Sequence, residues 1–305
     1  MRIVSLLPSA TEIVFALGAG DAVVGVSQEC DFPPEAANRP RVVTCTIDPN
    51  AASSAIDEQV RDKTRRGEPL YHLEIELLEQ LKPDLIITQA LCDVCAVKAT
   101  DVQRALERLS YRPQLLSLDP HELADVIRDV RTVGRAIDRG WDAEGLADQL
   151  TQRLETIRGA TAPLDKRPRV FCLEWLSPPM TAGHWVPEMV EAAGGVEVLG
   201  RAGERSKTVT WPEILQAQPE VLVLMPCGLS IDRTRRELSQ LEARSEWPQL
   251  PAVQQGRVYL VDGPALFNRS GPRLVDGVEL LSTLFHPDQA RTDALGERLK
   301  RANAA

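Results

Sequence analysis

The sequence predicts an α/β protein built in two halves. Short apolar runs of strand length alternate with helical patterns. A long helical pattern occupies residues 121–158. A cluster of Pro163, Lys166, Arg167 and Pro168 follows it, and the alternation then restarts. At 305 residues the chain can form two domains, each with its own core. The expected organisation is an N-terminal lobe over 1–119, a connecting helix over 120–160 and a C-terminal lobe over 161–305.

The elements follow in order. Residues 2–7 read as a first strand and 10–17 as a first helix, stopped by Gly18 and Gly20. A strand at 23–27 leads into Asp31-Phe32-Pro33-Pro34, which must be a turn or extended segment. The polar stretch 48–70 breaks the pattern and reads as a helical excursion outside the core. Leu73, Leu77, Leu78 and Leu81 give a helix over 74–81, followed by strands at 84–88 and 114–118. In 121–158 one apolar stripe runs through Ile127, Val130, Val133 and Ile137. It resumes at Leu146, Leu150, Leu154 and Ile157, with a kink expected at Gly140. The second half supplies strands at 169–173, 221–225 and 257–261 and a last helix after Gly271-Pro272. Strands linked through helices predict parallel sheets.

Hydrophobic residues make up 43% of the chain and charged residues 26%, the balance of a globular protein. The net charge of -9 argues against nucleic-acid binding, since no basic patch overrules it. No apolar run is long enough to span a bilayer. The first 20 residues lack a basic cluster and are interrupted by Pro8, Thr11 and Glu12, so they read as strand and helix rather than a leader. The expectation is a cytoplasmic protein, or a periplasmic one if a leader has been removed. No Gly-x-Ser-x-Gly elbow, His-Glu-x-x-His pair or phosphate loop is present, and a non-enzymatic role is expected.

The cysteines fall at or just beyond strand ends, where ligands bind in open α/β sheets. Cys30 follows 23–27, Cys92 and Cys95 follow 84–88, Cys172 lies in 169–173 and Cys227 follows 221–225. One reading is a soft-metal or iron–sulfur site assembled from these five thiols. A redox dithiol at Cys92 and Cys95 is another, and small buried apolar residues a third.

Several segments carry a family resemblance. Ile3-Val4-Ser5-Leu6-Leu7-Pro8-Ser9-Ala10-Thr11-Glu12, Val24-Gly25-Val26-Ser27 with Asp31-Phe32-Pro33-Pro34, and Leu81-Lys82-Pro83-Asp84-Leu85-Ile86 lie in the first half. Pro178-Pro179-Met180-Thr181-Ala182-Gly183, Trp211-Pro212-Glu213-Ile214-Leu215 and Phe267-Asn268-Arg269-Ser270-Gly271-Pro272-Arg273 lie in the second. Together they resemble the substrate-binding proteins of ABC importers for cobalamin and iron-siderophores, the cobalamin branch above all. The resemblance implies two α/β lobes joined by a long spine helix, with a ligand cleft between them, and no required cofactor. The implied ligand is cobalamin or a related corrinoid or metal complex. The competing expectation is a cytoplasmic cysteine-ligated metal or iron–sulfur protein on the same fold.

Ligand contacts are then expected from Pro8, Glu29, Cys30, Gln89 and Cys92 in the first half. In the second they are expected from Glu174, Trp175, His184, Trp185, Phe267 and Arg269. Trp175 offers a flat face to a ring system or belongs to the core. His184 ligates a metal or donates a hydrogen bond. Arg269 binds a carboxylate, amide or phosphate, or forms an ordinary salt bridge. Glu76 and Glu213 match the positions where the family places one permease-docking carboxylate on each lobe.

Overall fold

The structure is a computed structural model that describes residues 1–90, 97 and 99–287. It divides into two compact units. The first comprises Met1–Pro120 and Ala124–Gln149, and the second His121–Leu123 and the chain from Leu150 onward.

The first unit holds strands β1 (Ile3–Ser5), β2 (Val23–Ser27), β3 (Arg41–Cys45), β4 (Tyr71–Leu73), β5 (Leu85–Gln89) and β6 (Gln114–Leu118). Its helices are α1 (Pro8–Ala16), α2 (Ser53–Arg66), α3 (Ile75–Leu81), α4 (Ala99–Leu106) and α5 (Leu123–Ala136). One sheet runs β4-β3-β2-β1-β5-β6, parallel throughout except for the β3–β4 pair. β1 and β5 are buried along their whole length, the pattern of central parallel strands. β3 escapes the apolar-run criterion because its buried Val42 and Val43 sit between Arg41 and Thr44. The polar stretch 48–70 does fold as a helix. In α2 only Ser53 is buried, and Asp57–Arg61 and Asp62–Arg65 pair along its surface. Left-handed Gly67 ends it (φ 68°).

The second unit holds α6 (Gly140–Thr161, from Leu150), β7 (Arg169–Trp175), β8 (Met180–Thr181), α7 (Val186–Ala192), β9 (Val196–Glu197) and α8 (Trp211–Ala217). β10 (Val221–Leu224), α9 (Ile231–Glu242), α10 (Pro251–Gln254), β11 (Val258–Leu260), α11 (Gly263–Leu266) and α12 (Leu274–Phe285) complete it. The strand order is β11-β10-β7-β8. β9 pairs in parallel with the start of β7, and β8 runs antiparallel to its end. Phe171, Leu173, Ile214, Leu222, Leu224 and Trp247 form the centre of its core.

The pattern over 121–158 does not form one helix. α5 and α6 are separate, and Asp138 between them is left-handed (φ 58°). The break precedes Gly140, and it reverses the contacts instead of kinking the rod. Arg131 on α5 bonds Glu144 at 2.6 Å and Asp148 at 3.0 Å on α6. A Cβ on Gly134 would fall on the Cβ of Ala143. α6 belongs to the first unit up to Gln149 and to the second from Leu150. Its 22 residues measure about 33 Å. Within the second unit Arg153 secures it to α12 through Asp276 (2.6 Å) and Glu279 (2.8 Å).

Candidate functional site

Because five strands of the first unit are parallel, their carboxyl ends share one edge. The strand order reverses between β1 and β5, which makes that point the favoured ligand position in an open sheet. Pro8 follows β1, Gln89 ends β5, and Glu29 and Cys30 follow β2. Four expected contact residues therefore come from three adjacent strands. Pro8 and Glu29 are half-buried and Gln89 is buried. Gln28 Nε2 donates to Glu29 Oε1 (3.1 Å), and Gln28 Oε1 accepts from the Cys45 N–H (2.7 Å). Arg41 donates to the carbonyls of Ser27 (2.7 Å) and Cys30 (2.9 Å), fixing the same turn. The Cys30 side chain is fully buried beneath it. Thr11 Oγ1 lies 3.1 Å and Ser27 Oγ 3.6 Å from its sulfur. Cys92 and Cys95 fall outside the described residues.

In the second unit the reversal lies between β7 and β10. Glu174 and Trp175 end β7, and Cys227 follows β10. Glu174 fastens three segments. Its Oε2 accepts from Ser206 Oγ (2.8 Å) and the Gly183 N–H (3.3 Å), and its carbonyl accepts from the Cys227 N–H (3.0 Å). A Cβ at Gly183 would lie 2.5 Å from the Glu204 carbonyl oxygen, so the loops approach closely because that residue has none. Next along, His184 is left-handed (φ 52°). Its N–H donates to the Glu204 carbonyl (2.6 Å) and its carbonyl accepts from Gly203 (3.0 Å). The His184 ring lies 5.7 Å from Trp185 and 5.8 Å from His121. Arg269 is half-buried in the loop between α11 and α12.

Two expected ligand contacts are core residues instead. Phe267 is fully buried and Trp185 is 4% exposed, so their rings are spent on the interior. Trp185 Nε1 donates to the Phe267 carbonyl (2.7 Å), and the pair positions the His184 loop. Trp175 packs against the core and is half-buried at the strand end. Its indole N–H is buried without a hydrogen-bond partner.

Of the five thiols expected to share a centre, Cys30, Cys172 and Cys227 are among the described residues. Among the described residues no group of three or more His, Cys, Asp and Glu side chains is placed to hold a metal ion. Burial pushes the Cys172 thiol well above its ordinary value, with Glu197 beside it adding to the effect. Ligation requires a thiolate, which that setting disfavours. Glu197 is itself half-buried. Desolvation lifts its carboxyl to about 7 against the pull of N–H groups from Gly200, Leu199 and Cys172.

The pairing of His121 with His184 joins positions on opposite sides of α5, α6 and β7, so no local pattern could flag it. The same holds for Ser206, which meets Glu174 from a loop without regular structure.

This architecture has clear relatives. Residues 3–265 match the family model described as periplasmic binding protein. The chain is 28% identical over 291 residues to the vitamin B12-binding protein of Vibrio cholerae, covering 92% of this chain and 88% of that one. It is 26% identical over 293 residues to an ABC transporter substrate-binding lipoprotein of Bacillus subtilis, covering 94% and 80%. Among solved structures, the periplasmic vitamin B12-binding protein of Vibrio cholerae superposes with a TM-score of 0.68 at 25% identity, over 95% of this chain and 98% of that one. The apo periplasmic heme-binding protein of Roseiflexus sp. RS-1 also gives 0.68, at 26% identity over 94% and 98%. The expected cytoplasmic location finds no support among proteins described as periplasmic or as lipoproteins. No helix of the described residues is long and apolar enough to cross a membrane. Two strand-end edges and a family match over most of the sequence give one conclusion: the chain belongs to the periplasmic binding protein family.

Proposed function

We propose that this protein is the extracytoplasmic substrate-binding component of an ABC-type importer and that its ligand is cobalamin or a related corrinoid. The observation that carries the reading is the likeness to a vitamin B12-binding protein over nearly the full length of both chains. Within the first unit Pro8, Glu29 and Gln89 offer contacts at the strand edge; within the second, Trp175 at the end of β7 and Arg269 in the loop between α11 and α12 offer contacts of their own. An indole face suits a flat macrocycle, and Arg269 suits its amide or phosphate groups. Glu76 on α3 and Glu213 on α8 are both exposed, one in each unit, and offer carboxylates to a basic permease surface.

The test is a titration with cyanocobalamin and, separately, with haemin, followed by calorimetry and visible absorption. Submicromolar binding of cyanocobalamin and weaker binding of haemin are expected. Replacing Trp175 by Ala should weaken the corrinoid about tenfold, near the 1.4 kcal/mol that separates such affinities. Tight haemin binding with no response to cyanocobalamin would replace the corrinoid by a haem as the ligand.

A further inference from the structure

We infer that His121 and His184 form a binding site for one divalent transition-metal ion, independent of any organic ligand. Both imidazoles belong to the second unit, and their centroids lie 5.8 Å apart. Two imidazoles sharing one metal through bonds of about 2.0–2.1 Å have centroids roughly 4.5–6.5 Å apart. The observed separation falls within that range. Imidazole nitrogen is a donor suited to nickel, copper, cobalt and zinc.

Each ring is carried on a fixed segment. The three residues His121–Leu123 are the only part of the chain before α6 assigned to the second unit. The Leu123 N–H donates to Glu188 Oε2 at 2.6 Å, which anchors them there. On the other side His184 is held left-handed by two backbone hydrogen bonds, with Trp185 against its ring. A left-handed residue other than glycine carries a conformational cost, and such strain concentrates where side-chain aim matters. The site is also electrostatically suited to a cation. Glu122 follows His121, and its Oε1 lies 3.5 Å from where a Cβ of Gly203 would stand, next to the hydrogen-bond partners of His184. No third protein donor closes the site among the described residues, so water completes the coordination and the metal stays exchangeable.

The test titrates cobalt(II) and nickel(II) into purified protein, with calorimetry for stoichiometry and the cobalt spectrum for donor type. One site of micromolar affinity is expected, with weak d–d bands and no thiolate charge-transfer band. His121→Gln and His184→Gln should each weaken it at least tenfold, while His72→Gln and His286→Gln leave it unchanged. Thermal unfolding checks that each variant folds. If His184→Gln does not fold, the half-buried His121→Gln decides alone. A thiolate band, no binding up to millimolar metal, or unchanged affinity in His121→Gln would overturn the assignment. Because the probe is the metal alone, this outcome is separable from the corrinoid titration.

Discussion

Asp129 on α5 is 6% exposed, and its Oδ2 has no hydrogen-bond partner. Burial lifts its carboxyl from 3.8 to about 7, with Asp125 and Asp119 adding to the rise and Arg128 opposing it. A folded-state value above the unfolded one means that the native protein binds the proton more tightly. The associated stability is complete below about pH 4 and is lost as pH rises through about 7. Asp129→Asn keeps the neutral form at every pH. It should raise stability near pH 8 by roughly 1–3 kcal/mol and flatten the profile between pH 5 and 8. Urea midpoints at the two ends check this, and a parallel loss of stability in the variant would refute it. Glu197 poses the opposite question. Its Oε1 accepts from Val198, Leu199 and Gly200 at 3.1 Å each, and its Oε2 accepts from Cys172 at the same distance. Glu197→Ala leaves four part-buried backbone donors without their acceptor and should cost about 1–3 kcal/mol in thermal unfolding. Glu197→Gln, which keeps one acceptor, should cost less.

At the scale of elements, α5 and α6 touch through small residues. Gly134→Val would drive a branched side chain into Ala143, and an expected loss of about 2–4 kcal/mol follows from the steric conflict. Gly140→Ala meets nothing within 4 Å and should be neutral or stabilising by a few tenths of a kcal/mol. Denaturant titration of the two variants separates crowding from backbone effects. At the start of α8, Thr210 and Glu213 form a reciprocal capping box, with Glu213 Oε2 2.7 Å from the Thr210 N–H. Thr210→Ala should cost about 1 kcal/mol. The same carboxylate serves the proposed permease contact, so docking assays with Glu213 variants need a stability control that Glu76 variants do not share.

At the scale of the molecule, a ligand that binds only the folded protein stabilises it by mass action. Cyanocobalamin at 100 times its dissociation constant should contribute about 2.7 kcal/mol and raise the melting temperature by a few degrees. An unchanged melting curve would count against corrinoid binding. The net charge of -9 suits a basic membrane partner, and proposed docking through Glu76 and Glu213 should weaken as salt rises.

The sequence by itself determined the α/β class, most strands and the positions of Pro8, Glu29, Gln89, Glu174 and Trp175 at strand ends. Apolar runs and helical stripes are local patterns, and buried parallel strands write themselves into five consecutive residues. Tertiary structure decided what depends on distant partners. It split residues 121–158 at Asp138, where one left-handed residue outweighed a continuous apolar stripe. It turned Trp185 and Phe267 inward, because indole and phenyl rings look alike in sequence whether they face ligand or core. It put Cys172 beside the Glu197 carboxyl and His121 beside His184, since packing brings together side chains whose spacing along the chain carries no period.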